Sequence, residues 1–405
     1  MSKLSKDFLF DQNVIPLIKK FNTFSTLNKA LDVFREHNNA AACEYIIKQG
    51  ADNLYNNLSE ACKKGQLEIV KLITREKLRI PPSYIAIACE HGHYEIVKHL
   101  FNSEYYHHDK NNDYLMSACI VGEMKCVEFL IEKDNINYKF GMEGACMGGH
   151  EDIMEMMCDL QKITPNGLTL DFYTHGLVGA CRGGHQHIVN QMLKKFEKKD
   201  LFQHIKKHVH MIKLGASDWN RSLSAACMSG NLDIVQLIVS KAQQSNCVLH
   251  WSEAFMTCCE IGNLDLAKFI YNNGNNNKWR IAPYLSMACK MHHIDIVKWI
   301  IKCIITTIKS KLKSNFYVDA LTEVCCSGDI YLVRFLFNNE DVRMKNPNVT
   351  QFVLWAYTYE NTDIGHFLLE QYMRDQDVDY LFKCAFYRKI ETLMKDLLIR
   401  YPGRF

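Results

Sequence analysis

Residues 60–73 read EACKKGQLEIVKLI and residues 87–100 read IACEHGHYEIVKHL. In both, a glycine stands four residues after an alanine, and an Ile-Val pair begins four residues after the glycine. A pattern that returns along a whole chain constrains its fold more than local propensity does, because every copy must be the same small unit. The glycine marks copies at Gly65, Gly92, Gly122, Gly149, Gly184, Gly230, Gly262 and Gly328. His292 fills the slot in MACKMHHIDIVKWI, and Glu360 and Arg388 fill it in two weaker copies. A half-copy, NAAACEYIIKQGAD, occupies 39–52. Spacings run from 27 to 46 residues with a mean near 32, which makes about twelve related units.

Each unit reads as helix, turn, helix. A short apolar stretch precedes the glycine, and Asn56, Ser83, Asp113 and Asp319 stand five residues ahead of the alanine slot as expected N-caps. The glycine suits the left-handed conformation that ends a helix. An acidic residue then opens a second helix, as at Glu68, Glu95, Asp152, Asp233, Asp265 and Asp295, where the helix dipole favours negative charge. Apolar residues follow at helical spacing. Helices of about eight to ten residues do not persist alone in water. They must stack on their neighbours, so the expected fold is an all-α solenoid of helix pairs.

The chain holds 17 cysteines, and nine are assigned to one repeat position: Cys62, Cys89, Cys119, Cys146, Cys181, Cys227, Cys258, Cys289 and Cys325. A catalytic thiol is needed once per site, not once per unit. Metal ligands would need His or Cys partners at a recurring offset, and none recurs. The position reads instead as a small buried hydrophobe where adjacent units approach closely. Free thiols fit a chain that opens without a signal peptide, MSKLSKDFLFDQNVIP. The most apolar stretch, 296–309, is broken by Lys298 and Lys302 and is too short to span a bilayer. A net charge of +3 creates no strong field for nucleic acid. The expected compartment is the cytoplasm, the nucleus or a virus-infected cytoplasm being the other choices.

The motif resembles the ankyrin repeat, whose first helix ends Ala-Ala-x-x-Gly-His and whose second opens Leu-Glu-Ile-Val. Gly-His stands at 92–93, 149–150 and 184–185, LEIV at 67–70, and QGAD at 49–52 is similar to the family's outer loop. The likeness covers roughly residues 27–395. The family's Thr-Pro-Leu-His tetrad is missing. Its His slot holds Ser59, Ala86, Met116, Glu143, Val178 and Ser224. Units of 27 residues leave no room for a full β-hairpin finger. In style the copies resemble ankyrin proteins of large DNA viruses and protists. The resemblance implies a non-enzymatic protein-interaction scaffold, in a viral setting a host-interaction factor. The alternative it implies is a substrate adaptor for a ubiquitin ligase, although the C-terminal KIETLMKDLLIRYPGRF shows no clear F-box.

Ankyrin repeats hold partners through loop tips and the exposed side of the first helix. Carried over by position, those slots hold Trp251, six residues before the alanine-equivalent Thr257, and Trp279, nine before Ala288, with Arg280 next to it. Trp and Arg dominate interface hot spots. The competing reading is that each Trp packs under its own loop. A second candidate is the insertion at 194–213, KKFEKKDLFQHIKKHVHMIK, with Lys206 and Lys207 near its middle. Its His204, His208 and His210 lack further ligands for a metal, so a solvated basic helix is the plainer reading. Cys181 with His185 and Cys89 with His93 are four apart, as a thiol–imidazole couple would be, but both pairs are simply the repeat motif. No phosphate loop, dinucleotide fingerprint or metalloprotease motif occurs. The expected organisation is an N-terminal cap at 1–26, a repeat array at 27–379, and a last repeat with its cap at 380–405. The expectation is a monomer with a protein partner and no cofactor, metal, membrane or nucleic acid.

Overall fold

The computed structural model describes residues 24–76, 78–104, 113–133, 137–164, 167–197, 212–274, 281–305, 317–338 and 349–405. Among them are 24 α-helices, one π-helical turn and no strand. Contacts group the chain into two compact units, 1–218 and 219–405, where the repeat pattern alone suggests one continuous array.

In the first unit the helices run α1 (Phe24–Glu36), α2 (Ala40–Lys48), α3 (Leu54–Lys63), α4 (Leu67–Thr74), α5 (Pro82–Glu90), α6 (Tyr94–Phe101), α7 (Asp113–Val121), α8 (Met124–Ile131), α9 (Tyr138–Gly148), α10 (Glu151–Lys162), α11 (Leu170–Gly183) and α12 (Gln186–Glu197). Helix α13 (Ile212–Ser229) carries the boundary. The second unit continues with α14 (Leu232–Gln244), α15 (Trp251–Ile261), α16 (Leu264–Asn273), α17 (Ile281–Lys290) and α18 (Ile294–Trp299), which runs on as the π turn Ile300–Ile305. It ends with α19 (Val318–Ser327), α20 (Ile330–Asn338), α21 (Val349–Thr358), α22 (Thr362–Tyr372), α23 (Asp375–Arg388) and α24 (Glu391–Arg400). Odd-numbered helices are the first of each pair. From α1 to α11, and again from α15 to α23, each packs against the odd-numbered helix of the neighbouring pair.

The pairs form for the reasons the pattern supplies. Gly65, Gly92, Gly122, Gly149, Gly184, Gly230, Gly262 and Gly328 all have φ between 70° and 87°. His292, Glu360 and Lys389 take the same left-handed turn without the benefit of glycine. The last of these corrects the expectation for Arg388, which is instead the final residue of α23. The residue after the turn donates its N–H to the alanine-slot carbonyl, as in His93 to Ala88 (2.9 Å), His150 to Ala145 (2.9 Å) and Ile390 to Ala385 (3.0 Å). This closes the helix end in a Schellman-type cap. The expected N-caps Asn56 and Ser83 sit inside their helices, because α3 starts at Leu54 behind Asn53 and α5 at Pro82 behind Pro81. A proline in the first turn is pre-set for helix, so the start moves forward. Asp319 is the second residue of α19, behind Tyr317.

A side chain from the next pair then ties the units together. The ring Nε2–H of His93 donates to the Lys63 carbonyl (3.0 Å), His150 to Ile120 (3.1 Å), His185 to Met147 (3.1 Å) and His293 to Glu260 (2.8 Å). Asn263 donates to Gly230 (3.1 Å), and Asn361 to Cys326 (2.8 Å), in the same way. These carbonyls stand at a helix C-terminus, where no intrahelical partner is available. A Cβ at Gly122 would stand 2.3 Å from the His150 ring, so the glycine admits both the turn and the incoming ring.

The core follows the repeat. The second-helix pairs Ile69–Val70, Ile188–Val189, Ile234–Val235 and Leu332–Val333 are fully buried. Each such side chain contributes about 1.5–3 kcal/mol. The described part of the expected N-terminal cap is the start of α1, which pairs with α2. At the other end α23 starts at Asp375 rather than 380. That last pair exposes Phe386, Tyr387 and Ile399 rather than the polar outer face a cap needs. The reason is positional. Phe386 occupies the slot next to Ala385, which most other pairs fill with a buried cysteine.

Candidate functional site

The nine cysteines assigned to one repeat position are all buried. One assignment shifts by a residue. The N–H of Gly262 bonds to the carbonyl of Cys258 as that of Gly122 bonds to Ala118, so Cys258 holds the alanine slot and Cys259 the cysteine slot. Burial pushes the thiol of Cys62 up to about 12, and those of Cys119, Cys146, Cys181, Cys259, Cys289 and Cys325 higher still. Cys89 is raised by its hydrogen bond with Cys126 and by burial. A thiol so far from ionising is a poor nucleophile. The imidazoles expected four residues on, His93 and His185, spend their Nε2–H on carbonyls of the preceding pair. Among the described residues no cluster of three or more His, Cys, Asp or Glu could hold a metal ion, and no helix is long and apolar enough to cross a membrane.

A thiol-specific probe on the native protein should therefore label the half-exposed Cys158, Cys247, Cys326 and Cys384 first. The buried thiols should react only at the rate of unfolding. Peptide mapping that finds Cys146 or Cys181 labelled as fast as Cys247 would contradict the packing role of the slot.

Of the sequence-derived binding residues, Trp279, Arg280, Lys206 and Lys207, with most of the insertion at 194–213, lie outside the described residues, as do His204, His208 and His210. Trp251 is the first residue of α15 and is half-buried. With Cys258 in the alanine slot it stands seven residues ahead of that slot, where α13 also carries a half-buried tryptophan, Trp219. The N–H of His250, just ahead of Trp251, donates to Asn220 Oδ1 (2.6 Å), which fixes the start of α15 against α13.

The structure adds a cluster the repeat reading missed. Trp355 on α21 and Tyr359 at its end lie 6.0 Å apart between ring centroids. The Arg388 guanidinium of α23 sits 5.8 Å over the Trp355 ring. Tyr359 is 55% exposed and Tyr387, beside Arg388, 83%. Aromatics and an arginine held by one another at low entropic cost form a hot-spot composition. LWAYTYEN and KCAFYRK contain them in plain view, but these are the two most degenerate copies, and neither has the glycine that marks most of the others.

Charge is divided in the second unit. The first helices and turns at 251–263, 281–293, 318–329 and 349–361 carry Glu253, Glu260, Asp319, Glu323, Asp329 and Glu360 against one cation, Lys290, histidines apart. Asp329 is engaged by His292 (3.2 Å). The second helices at 264–274, 294–305, 330–338 and 362–374 carry five cations and four acids.

Two carboxylates, one buried and one half-buried, serve the joints between pairs. Glu143, in the slot where the ankyrin family has His, is buried and accepts from His175 Nδ1 (2.7 Å) and Arg182 Nη1 (3.2 Å) of the next first helix. Asp396 Oδ2 accepts from the Tyr357 hydroxyl (2.5 Å) and His366 Nε2 (2.6 Å). Burial works against the Asp396 carboxylate, yet those two donors hold its pKa below the usual range. Tyr357 is pushed far up by burial and by Asp396, and is itself buried, so this trio fastens the last pairs and offers no nucleophile.

A family model described as ankyrin repeats matches in three copies, at 58–140, 85–166 and 223–311. No curated protein matches the chain. Solved structures to which it is similar include the pentatricopeptide repeat protein PPR10 in complex with an 18-nt psaJ RNA element, at 12% identity and a TM-score of 0.36, covering 97% of this chain and 62% of that one. The chain thus spans less than two thirds of that protein's length. PPR10 from maize is also similar, at 9% identity and a TM-score of 0.26, over 94% of this chain and 69% of that one. The family matches fall on both sides of the 194–213 insertion and support an ankyrin-repeat family for this chain.

Proposed function

We propose that the protein is a non-enzymatic scaffold that holds a partner protein on the exposed side of its first helices. The observation that carries this is the set Trp355, Tyr359 and Arg388, exposed or half-exposed side chains braced by ring and cation contacts, with exposed Tyr387 next to Arg388 in the chain. Side chains already ordered lose little freedom on binding. The acidic excess on α15, α17, α19 and α21 favours a protein over a nucleic acid, because a phosphate backbone needs cations to displace its counterions. The cytoplasm remains the proposed compartment.

The test is affinity capture from cells, with wild type beside Trp355→Ala/Tyr387→Ala and beside Trp251→Ala/Trp279→Ala. Each variant is first checked for an unchanged melting temperature. Loss of a stoichiometric protein partner from the Trp355/Tyr387 variant supports the reading and places the site. Identical proteins on every bait would remove this surface from the function, and recovery of RNA in place of protein would overturn the partner class.

A further inference from the structure

We propose that Cys89 and Cys126 are a redox pair, which hydrogen peroxide converts to a disulfide that fastens one helix pair of the first unit to the next. Cys89 lies on α5 and Cys126 on α8, so the two belong to adjoining pairs. Neither has any exposed surface, and their thiols are hydrogen-bonded to each other. The sequence sets this joint apart. From α4 to α24, the position four residues after the left-handed turn residue is isoleucine or leucine on each second helix but one, as at Ile69, Ile96, Ile153 and Ile188. On α8 it is Cys126. A branched aliphatic there serves packing alone, whereas a second thiol beside Cys89 brings chemistry to the joint.

The two sulfurs have different parts. Cys89 donates its S–H to the sulfur of Cys126, and this bond lowers the pKa of Cys126 against the opposing effects of burial and Glu123. Cys126 is thus the thiol that ionises, and the thiolate is the nucleophile. It attacks one oxygen of the peroxide. The O–O bond breaks, hydroxide leaves and takes up the proton that Cys126 gave, and Cys126 becomes a sulfenic acid. The sulfur of Cys89 then attacks that of Cys126, and the sulfenic hydroxyl departs as water with the Cys89 proton. Two thiols and one peroxide give one disulfide and two waters, so both sulfurs are oxidised and both peroxide oxygens reduced. The surroundings favour this product. A disulfide is uncharged, while a metal ion such as Cu(I) held by two thiolates would leave net charge in the apolar core. Thiols already in contact have little distance to close to an S–S bond of about 2.05 Å. Peroxide is close to water in size, so a brief local opening admits it where a bulkier thiol probe waits for unfolding. The bond closes residues 90–125 into a loop and so removes freedom from the unfolded chain.

The test uses the full chain. N-ethylmaleimide first caps the half-exposed thiols, and hydrogen peroxide is then added under native conditions. Peptide mapping should find Cys89 linked to Cys126 with the loss of two hydrogens. The melting temperature should rise by roughly 5–10 °C, and dithiothreitol should return it to its starting value. Cys126→Ile restores the residue of the other pairs. It should fold, give no linked peptide and show no rise. Absence of the linked peptide, its appearance only in denaturant, or oxidation of Cys126 onward to a sulfinic acid would overturn the proposal. So would a link from Cys89 to Cys119, the thiol near it on α7, or an equal rise in Cys126→Ile. None of these outcomes bears on the scaffold reading, whose surface lies in the second unit.

Discussion

Gly179→Ala should lower the melting temperature by roughly 5–10 °C, through about 2–3 kcal/mol of overpacking in a unit of this size. In the middle of α11 the change would ordinarily help, since alanine is worth up to about 1 kcal/mol over glycine in a helix interior. Contact decides otherwise. A Cβ there would stand 2.1 Å from the Glu143 carbonyl oxygen and 2.9 Å from its carbon. That neighbour is backbone inside α9 and cannot rotate away. Gly183 meets the Met147 carbonyl, and Gly148 the Ile120 carbonyl, at the same 2.1 Å. Helices α7, α9 and α11 therefore approach along glycines, main chain against main chain. Moving α11 outward would also stretch the His175 and Arg182 bonds to buried Glu143 and the His185 bond to Met147. Calorimetry should show a single destabilised variant, with Ala225→Gly, in the same slot of the second unit, clearly milder. A Gly179→Ala protein as stable as the parent would mean that the two helices have slack.

That glycine contact marks the boundary of what the sequence made legible. GMEGACMGGH and GLVGACRGGH share every glycine, yet a repeat reading registers them as two more copies and says nothing of their closer approach. The helix pairs, the left-handed turns and the acidic start of the second helices were readable because each is a local requirement repeated many times. The inter-pair bonds of His93, His150, His185 and His293 were hidden because Gly-His looks like a marker until the next pair is in place. Register failed where the marker pair doubled, in the Cys258–Cys259 run, and where no glycine ended the helix, at Arg388 and Lys389. The aromatic face at Trp355 was missed for a related reason. Binding slots were inherited from a family pattern that the degenerate copies no longer display, and only exposure and ring geometry reveal them.

Cys289→Asp should be the most damaging single change in the second unit, costing on the order of 3–5 kcal/mol at neutral pH. The side chain of Cys289 has no exposed surface and lies on α17 against α19. The thiol already resists ionisation there, held well above its ordinary range by burial and by Glu323 and Asp329 nearby. A carboxylate in its place would meet the same apolar surroundings and the same two acids. Its pKa in the folded state must then rise above the unfolded value of about 3.9. A group raised on folding is least costly below its unfolded pKa, and the penalty grows by about 1.4 kcal/mol per pH unit until its folded pKa is passed. The melting gap between variant and parent should therefore be narrow near pH 4 and wide at pH 7. Cys289→Ala removes one sulfur and adds no charge, so its gap should be small and independent of pH. A gap for Cys289→Asp that is equally small at neutral pH would place this slot in solvent, and the cysteine ladder would then need an explanation other than packing.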